Sequence, residues 1–451
     1  MTDRFRDEAV TTLKLAIPLV IGQATNVAMV FVDTLFAGRL SAEDLAAVAI
    51  GGTFWATSNL LVLGTLLAVP AFVSQFDGAG ERQRIAPFAR QAGWVALLLS
   101  LLVWSFIRNA ELLLEPIGIP AEVRPLAGGY LDAISWGAPF YALFFLFRFV
   151  SEGIGSMRPA MVFGIGGLLL NIVADWVLMY GKFGFPALGA AGCGYATAIV
   201  LAAQCIGMGL YLRFGKRYAD LDIFKHIELP RLDRAAEILR VGLPIGAAVF
   251  VESSLFLCAT LLMGSLGTVM IAGHQIALNF SALAFMVPLG FSFAITVRVG
   301  NAAGRGDWEA VRFRGITGLK LIMITQTITA LFILTFRGPI AGLYSTDAAV
   351  VAVGVELLLF GALFQFSDGF QIAAAGALRG IKDTRIPLVI MVLAYWVFGI
   401  PLSYTLGISL GGRGAGIWIG LIGGLTVAAV ALLWRFNRLS QRLVAGQGEQ
   451  T

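Results

Sequence analysis

The segment VVAVGVELLLFGALFQFSDGFQIAAAG, residues 350–376, decides the fold class because it is long and apolar and, besides Glu356 near its start, carries an acid, Asp368, in its second half. A transmembrane helix needs about 20 mostly apolar residues, and this segment exceeds that length. A charged side chain at the bilayer centre costs roughly 2.5–3.5 kcal/mol on insertion scales. The segment therefore predicts a membrane-spanning helix whose carboxylate faces a cavity, a partner or an ion. The alternative is a buried carboxylate that only links helices.

Eleven further segments of the chain have the same apolar character. Apolar residues make up 58% of the sequence and charged residues 13%, whereas a soluble protein is nearer to half and a quarter. The segments are too long for strands and lack their period-two alternation. We therefore predict an all-α integral membrane protein with twelve transmembrane helices. The other eleven spans are 13–37, 45–74, 90–108, 126–150, 160–180, 190–212, 238–264, 271–299, 314–336, 386–408 and 414–436.

The basic residues predict the orientation of these helices. Most of the 32 Lys and Arg residues fall on one side of the predicted membrane, including those between 213 and 240. Because cytoplasmic loops carry the excess of positive charge, both termini are expected in the cytoplasm. The net charge of +5 is then an insertion signal, and no nucleic-acid partner is expected. The polar start MTDRFRDEAV does not resemble a cleavable signal peptide.

The chain also repeats itself. A shift of 226 residues places Ile17-Pro18-Leu19 on Leu243-Pro244-Ile245, and it places the loop 78–81 on the loop 304–307. Six spans per copy give two halves of the same topology, which is a parallel repeat about an axis along the membrane normal. Two such lobes suggest alternating access to a central cavity, although a duplication unrelated to transport is the alternative. The predicted domains are an N-terminal lobe at 1–212, a basic cytoplasmic linker at 213–237 and a C-terminal lobe at 238–451.

Polar residues inside the N-terminal spans form one candidate site. Asn171 and Asp175 are four residues apart and so share a helix face. Asp33 in the first span and Thr197 in the sixth are expected at a similar depth, toward the outer side. Oxygen ligands suit a hard cation, and the two carboxylates could equally exchange a proton. The alternative is a network of hydrogen bonds between helices without an ion.

The C-terminal half offers a second candidate site. Glu252 lies in the seventh span and Asp368 in the tenth, with Phe364 one turn before Asp368. An aromatic ring beside two acids suits an organic cation through cation–π contact. Gln275 and Asn279 share one face of the eighth span and could also line a cavity. His274, next to Gln275, is interpreted as a structural hydrogen-bonding residue.

Other reactive side chains give weaker signals. Arg148 lies well inside a span, where it either pairs with a carboxylate or extends its side chain toward the surface. The cysteines show no metal-ligand spacing, and a disulfide framework is not expected. We interpret Cys193, Cys205 and Cys258 as small packing residues.

Several motifs together resemble one transporter family. They are PheValAsp33Thr, AGHQIALN at 272–279, RVGNAAGRG at 298–306 and GALRGIKDTR at 376–385. With the twelve spans in two repeats, the chain resembles the multidrug and toxic compound extrusion (MATE) transporters, in their bacterial multidrug-efflux branch. The resemblance implies an N-lobe cation site at Asp33, Asn171, Asp175 and Thr197.

The same resemblance covers the C-terminal half. It implies an acidic pair at Glu252 and Asp368 and substrate-contacting positions at Gln275 and Asp347. Related transporters often have Tyr where this chain has Phe364. The missing hydroxyl argues against Na⁺ ligation there and leaves protonation of the two acids open.

The sequence and this resemblance together predict a monomeric secondary transporter of the bacterial inner membrane, which exports small organic cations in exchange for Na⁺ or H⁺. No other cofactor, no metal beyond Na⁺ and no catalytic residue are expected, and no G-x-x-x-x-G-K-[ST] motif for ATP is present. One rival is a flippase for lipid-linked or polysaccharide substrates, which would favour a cationic cavity for phosphate. Another is an intramembrane enzyme, but the spans show neither clustered His nor a catalytic Ser/His arrangement.

Overall fold

The computed structural model describes residues 2–226 and 228–448, and this part of the chain contains helices and no strand. Apolar runs longer than about 20 residues account for most of the helices. The α-helices are α1 Thr2–Leu40, α2 Ala42–Leu66, α3 Val69–Gly78, α4 Ile85–Asn109, α5 Glu111–Leu114, α6 Arg124–Ser135, α7 Ala138–Gly153, α8 Arg158–Tyr180, α9 Ala190–Phe214, α10 Leu232–Gly264, α11 Thr268–Gly304, α12 Trp308–Tyr344, α13 Ala348–Gly380, α14 Arg385–Val392, α15 Ile400–Tyr404 and α16 Arg413–Gly448.

The helices agree with the predicted spans. Eleven helical segments among the described residues are long and apolar enough to cross a membrane, and one bent pair, α6 with α7, brings the number to twelve. The bend of 45° lies just before Pro139, which is in the first turn of α7. Proline lacks the backbone donor that would continue the helix through the bend. The predicted fold class is confirmed, with the fourth span broken in two.

The eleventh span is less regular than its sequence suggests. Between α14 and α15 the chain forms a π-helical turn at Leu393–Gly399, and a second at Thr405–Ser409 follows α15. Pro401 lies between them and cannot donate to a carbonyl of the preceding turn. Wider π-helical turns occur mostly as short insertions of this kind.

The chain forms two compact units. One contains Met1–Val20 and Ala247–Thr451, and the other contains Ile21–Gly246. The chain therefore crosses from one unit to the other within α1 and again within α10. Each crossing lies two residues after a proline, Pro18 or Pro244. The lobe limits at 212 and 238 describe the sequence repeat and remain a prediction.

Close helix packing follows the repeat. A Cβ atom on Gly64 of α2 would lie 2.3 Å from the Cα of Gly246 in α10. The residues shifted by 226, Gly290 and Val20, also meet, because a Cβ on Gly290 would lie 2.5 Å from Val20 Cγ2. Small residues allow such approaches between membrane helices. The same contact is therefore built once in each unit.

The segment between α9 and α10 is tied to α4. Arg90 Nε donates to the carbonyl of Ile223 at 2.9 Å, and Gln91 Nε2 donates to the carbonyl of Leu229 at 3.0 Å. Arg82, just before α4, pairs with Asp220 at 2.6 Å. The hydrogen bonds from this guanidinium hold the pKa of Asp220 below its ordinary value. Since a lowered pKa keeps the carboxylate ionised, the pair persists until the pH falls through that lowered value.

Candidate cation sites

The N-terminal candidate residues come together within one unit. Asn171 Nδ2 on α8 donates to Asp33 Oδ1 on α1 at 3.0 Å. Ligand atoms of Asp33, Asp175 and Cys193 all lie within 4.8 Å of one another. Thr197 is one turn beyond Cys193 on α9 and is half-buried. Three helices thus place two carboxylates, an amide, a thiol and a hydroxyl in one region.

This N-terminal cluster has more acceptors than donors. Asp175 is fully buried, and neither of its carboxylate oxygens has a hydrogen-bond partner. The amide oxygen of Asn171 and the hydroxyl of Thr197 are also buried without a partner. An unsatisfied buried polar group costs roughly 1–3 kcal/mol, and more when it is charged. A bound cation or an added proton would remove that cost, so the arrangement is suited to either.

Asp44, which was not predicted from the sequence, fixes the position of α9. Asp44 in the first turn of α2 accepts a hydrogen bond from the backbone N–H of Ala190 at 2.8 Å, at the start of α9. The hydroxyl of Ser41, the N-cap of α2, donates to the other oxygen of Asp44 at 2.8 Å. Gly189 makes the approach possible, since a Cβ there would lie 2.7 Å from Asp44 Oδ1. Asp44 therefore fixes the helix end that carries Cys193.

Cys193 is buried, in agreement with its interpretation as a packing residue, and its sulfur also lies among the carboxylates. Its spacing of four residues from Thr197 was the available signal, since it places both side chains on one face of α9. Tyr130 on α6 was also missed, and it lies near Asp33 and Asp175. Nothing in the local sequence distinguishes that tyrosine from the other aromatic residues.

The C-terminal acids lie near one another in the other unit. Glu252 on α10 is half-buried, and Asp368 on α13 is 2% exposed. The two interact electrostatically. Asp368 Oδ1, both amide atoms of Gln371 and the hydroxyl of Tyr395 are buried without hydrogen-bond partners. This region thus combines two acids with unsatisfied polar atoms, as the N-terminal cluster does.

The structure places Phe364 in an aromatic cluster. Its ring centroid lies 5.8 Å from that of Phe256 and 5.8 Å from that of Trp418. Only 3% of the surface of Phe364 is exposed. Its ring therefore packs in the protein interior, one turn before Asp368 on α13. His274 contacts the same Trp418 ring, and its Nε2 lies 3.1 Å from Thr260 Oγ1, which agrees with a structural role.

The three residues predicted to contact substrate occupy different environments. Gln275 on α11 is half-buried, whereas Phe364 is buried. Asp347 is exposed and caps α13, where its Oδ1 accepts from the backbone N–H of Ala349 at 2.8 Å. Helix capping is by itself a sufficient structural role for Asp347, and this role requires no ligand. The substrate role of these positions remains a prediction.

Arg148, whose partner the sequence left open, forms a buried ion pair. Its Nε donates to Glu152 Oε1 at 2.6 Å, one turn later on α7. Its Nη2 donates to the side-chain oxygen of Gln23 at 3.3 Å. Arg148 is 2% exposed and Glu152 1%. The charge of Arg148 is therefore neutralised inside the unit and does not reach the surface.

Comparison with known proteins agrees with this architecture. The sequence profile of the MatE family matches residues 18–177 and 244–405, two ranges that begin 226 residues apart, which is the shift found within the sequence. A protein from Xanthomonas campestris named "Probable multidrug resistance protein NorM" is 44% identical over 445 residues, 99% of this chain and 97% of that protein. The "Multidrug resistance protein PmpM" of Pseudomonas aeruginosa is 43% identical over 98% of this chain and 94% of its own.

Solved structures share the fold. One, described as "Crystal structure of MATE in the straight conformation", superposes with a TM-score of 0.89 at 22% identity over 97% of both chains. The "Crystal structure of eukaryotic MATE transporter AtDTX14" gives a TM-score of 0.86 at 20% identity, over 97% of this chain and 98% of that chain. Structural similarity at this level of sequence identity shows a shared fold and nothing further.

The twelve spans in two repeats and the buried acidic clusters define a polytopic membrane transporter. The chain belongs to the MatE family, the multidrug and toxic compound extrusion transporters. The predicted family and the prediction of a transporter and not an enzyme are confirmed by these matches. The protein is thus a multi-pass protein of the bacterial inner membrane.

Proposed function

We propose that this protein is a multidrug efflux transporter that exports small organic cations in exchange for H⁺ or Na⁺. The observation that carries the proposal is the pair of buried acidic regions with unpartnered oxygens, above all Asp175 and Asp368. A carboxylate without donors is poorly stabilised until a proton or cation arrives. The names of the relatives support multidrug substrates, since they are described as multidrug resistance proteins.

The energetics of coupling limit the stoichiometry. A tenfold ion gradient supplies about 1.4 kcal/mol, and the membrane potential supplies about 2.3 kcal/mol per net charge per 100 mV. Exchange of one cation for one monovalent drug moves no net charge, so the potential would not drive it. Two incoming cations per drug would use the potential, and the two acidic regions provide a place for each.

The orientation and assembly belong to the same proposal. The distribution of basic residues supports cytoplasmic termini. It also supports a cytoplasmic position for the segment between α9 and α10, which is hydrogen-bonded to α4. Asp33, near the end of α1, and Asp175, near the end of α8, then lie toward the outside, where an incoming ion enters. The proposed protein acts as a monomer, because alternating access between two lobes of one chain needs no further subunit.

Transport by the purified protein in liposomes, with pH and Na⁺ gradients imposed separately, tests the proposal. Uptake or release of an ethidium-like cation is expected to follow one of the two gradients. A flippase would instead move a lipid-linked anion, for which Arg148 is poorly suited because Glu152 neutralises it. Translocation of such a lipid without any response to either gradient would contradict antiport.

A further inference from the structure

The N-terminal cluster contains a thiol, which a site for Na⁺ or H⁺ does not need. Cys193 is fully buried, and its Sγ lies within 4.8 Å of a carboxylate oxygen of Asp33 and of Asp175. Within 2–226 and 228–448, no other three His, Cys, Asp or Glu ligand atoms lie as close together. Cys205, three turns along α9, is buried without such neighbours. The cluster is therefore specific to one of the cysteines.

A second observation points to a ligand at this place. Both oxygens of Asp175 and the amide oxygen of Asn171 are buried without a donor, and these residues are 0% and 1% exposed. The region thus holds carboxylate and amide oxygens without a donor, and the sulfur of Cys193 lies beside them. Such a set favours a cation that accepts both oxygen and sulfur ligands.

The chemistry of the donors separates the candidate cations. Na⁺ and Mg²⁺ are hard and prefer oxygen ligands, whereas thiolate selects softer ions. Zn²⁺ binds Cys sulfur at about 2.3 Å and carboxylate oxygen at about 2.0–2.2 Å, in tetrahedral geometry. Ligand atoms around such an ion are roughly 3.5 Å apart. The ligand atoms of the observed cluster lie within 4.8 Å of one another, so metal binding requires side-chain movements on the order of 1 Å to reach that spacing.

We propose that Asp33, Asp175 and Cys193 bind a thiophilic divalent cation, Zn²⁺ or Cd²⁺, in competition with the coupling ion. The oxygen of Asn171 supplies the fourth ligand. On binding, the thiol loses its proton to the solvent and no redox change occurs. Because a divalent ion bound by thiolate leaves slowly, the occupied transporter is arrested. The effect on transport rests on the proposed function, whereas the binding does not.

Binding is tested on the purified full-length protein in detergent. Titration with Cd²⁺ is expected to produce the ultraviolet charge-transfer band of a cadmium thiolate, and Zn²⁺ should displace it. Loss of even an outer-shell partner costs about 10–100-fold in metal affinity, so Cys193→Ser should lose at least ~10-fold. The matched control, Cys205→Ser on the same helix, should keep the band. A wild-type protein without the band, or an unchanged band in Cys193→Ser, would overturn the proposal.

A second measurement needs no cysteine variant. Zn²⁺ should raise the unfolding temperature of the wild-type protein, because a ligand that binds only the folded state stabilises it. Mg²⁺ has the same charge but hard character and should have no such effect. Asp175→Asn should abolish the Zn²⁺ shift. Equal shifts from Zn²⁺ and Mg²⁺, or a Zn²⁺ shift that survives Asp175→Asn, would contradict a site at this cluster.

The consequence for transport is tested in liposomes. Micromolar Cd²⁺ should inhibit drug transport by the wild type and by Cys205→Ser, while the residual transport of Cys193→Ser should be at least ~10-fold less sensitive. Cd²⁺ binding at Cys193 without inhibition would refute the competition with the coupling ion. Cd²⁺ binding in a protein that transports no drug under any gradient would contradict the proposed function and leave the metal site standing.

Discussion

Asp368 and Asp175 are buried acids with carboxylate oxygens that accept no hydrogen bond. Each lies in a membrane-spanning helix, and each has at least one carboxylate oxygen without a donor. A permanent structural ion pair would satisfy such oxygens, as Arg148 does for one oxygen of Glu152. Glu152 also keeps one oxygen, Oε2, without a donor, but a guanidinium neutralises its charge. Among the described residues, Asp175 and Asp368 have no ion-pair partner of this kind.

Neutral replacement of the C-terminal acids should uncouple transport. Glu252→Gln and Asp368→Asn keep the side-chain shape but remove the charge that exchanges with a proton or Na⁺. We expect each variant to reach the membrane but to lose gradient-driven export of an ethidium-like cation. The control is Glu356→Gln, an exposed acid on the same helix as Asp368, which should export normally. Export at the wild-type rate by both site variants would exclude this pair from coupling.

Removal of the anchor at Asp44 should loosen the N-terminal cluster. Asp44→Ala leaves the N–H of Ala190 without its acceptor, and hydrogen bonds to charged groups contribute about 1.5–3 kcal/mol. A fall in the unfolding temperature is expected, together with an altered Na⁺ or pH dependence of transport. Asp44→Asn keeps one acceptor oxygen and should have the smaller effect. If Asp44→Ala is as stable as the wild type, the anchor is unimportant.

The sequence predicted part of the N-terminal cluster and missed part. Asp33, Asn171, Asp175 and Thr197 stood out because polar residues are rare in apolar spans, and span direction gave their common depth. Cys193 and Tyr130 did not, since a cysteine or tyrosine is ordinary in such a segment. Asp44 could not be identified either, because its role depends on how the loop before α9 returns to α2.

At the scale of helices, the packing of small residues sets how closely the backbones approach. Apolar length predicted the position of every span, because the bilayer imposes it, but α1 begins at Thr2 and not at 13, and α16 ends at Gly448 and not at 436. The break between α6 and α7 and the π-helical turns around Pro401 were not predicted. A proline inside a span permits a kink or a wider turn, but the neighbouring helices decide which one forms.

Filling one of these close contacts should destabilise the protein. Gly64→Ala would place a Cβ 2.3 Å from the backbone of Gly246, and overpacking typically costs about 1–3 kcal/mol. The matched control is Gly166→Ala on α8, where a Cβ meets nothing within 4 Å and alanine favours the helix. Thermal unfolding in detergent should show a lower midpoint for Gly64→Ala only. Equal midpoints would mean that α2 and α10 separate at little cost.

At the scale of the whole molecule, the binding of drug and coupling ion should be antagonistic. A ligand shifts a two-state equilibrium only through its differential affinity, and the coupling between two ligands is reciprocal. We therefore expect low pH or high Na⁺ to weaken binding of a cationic drug. A coupling of about 1–3 kcal/mol corresponds to a change in Kd of roughly 5–150-fold.

Fluorescence titration of the detergent-solubilised protein measures this coupling. Glu252→Gln and Asp33→Asn should each reduce the change in Kd, because each removes an acid on which the coupling ion acts. The control is again Glu356→Gln, which should retain it. A drug affinity that stays constant from acid to alkaline pH and from zero to saturating Na⁺ would contradict antiport.

The division of the chain into units also has an evolutionary consequence. The N-terminal lobe begins with residues 1–20, yet these belong to the unit that contains most of the C-terminal lobe. Residues 238–246, which begin the C-terminal lobe, belong to the other unit. Two identical six-helix chains that exchanged their opening segments would leave this pattern once fused, as in domain-swapped dimers. Each ancestral copy would then have lacked part of its own core when alone. On this interpretation, the ancestor was already a dimer, and gene fusion only made the exchange permanent.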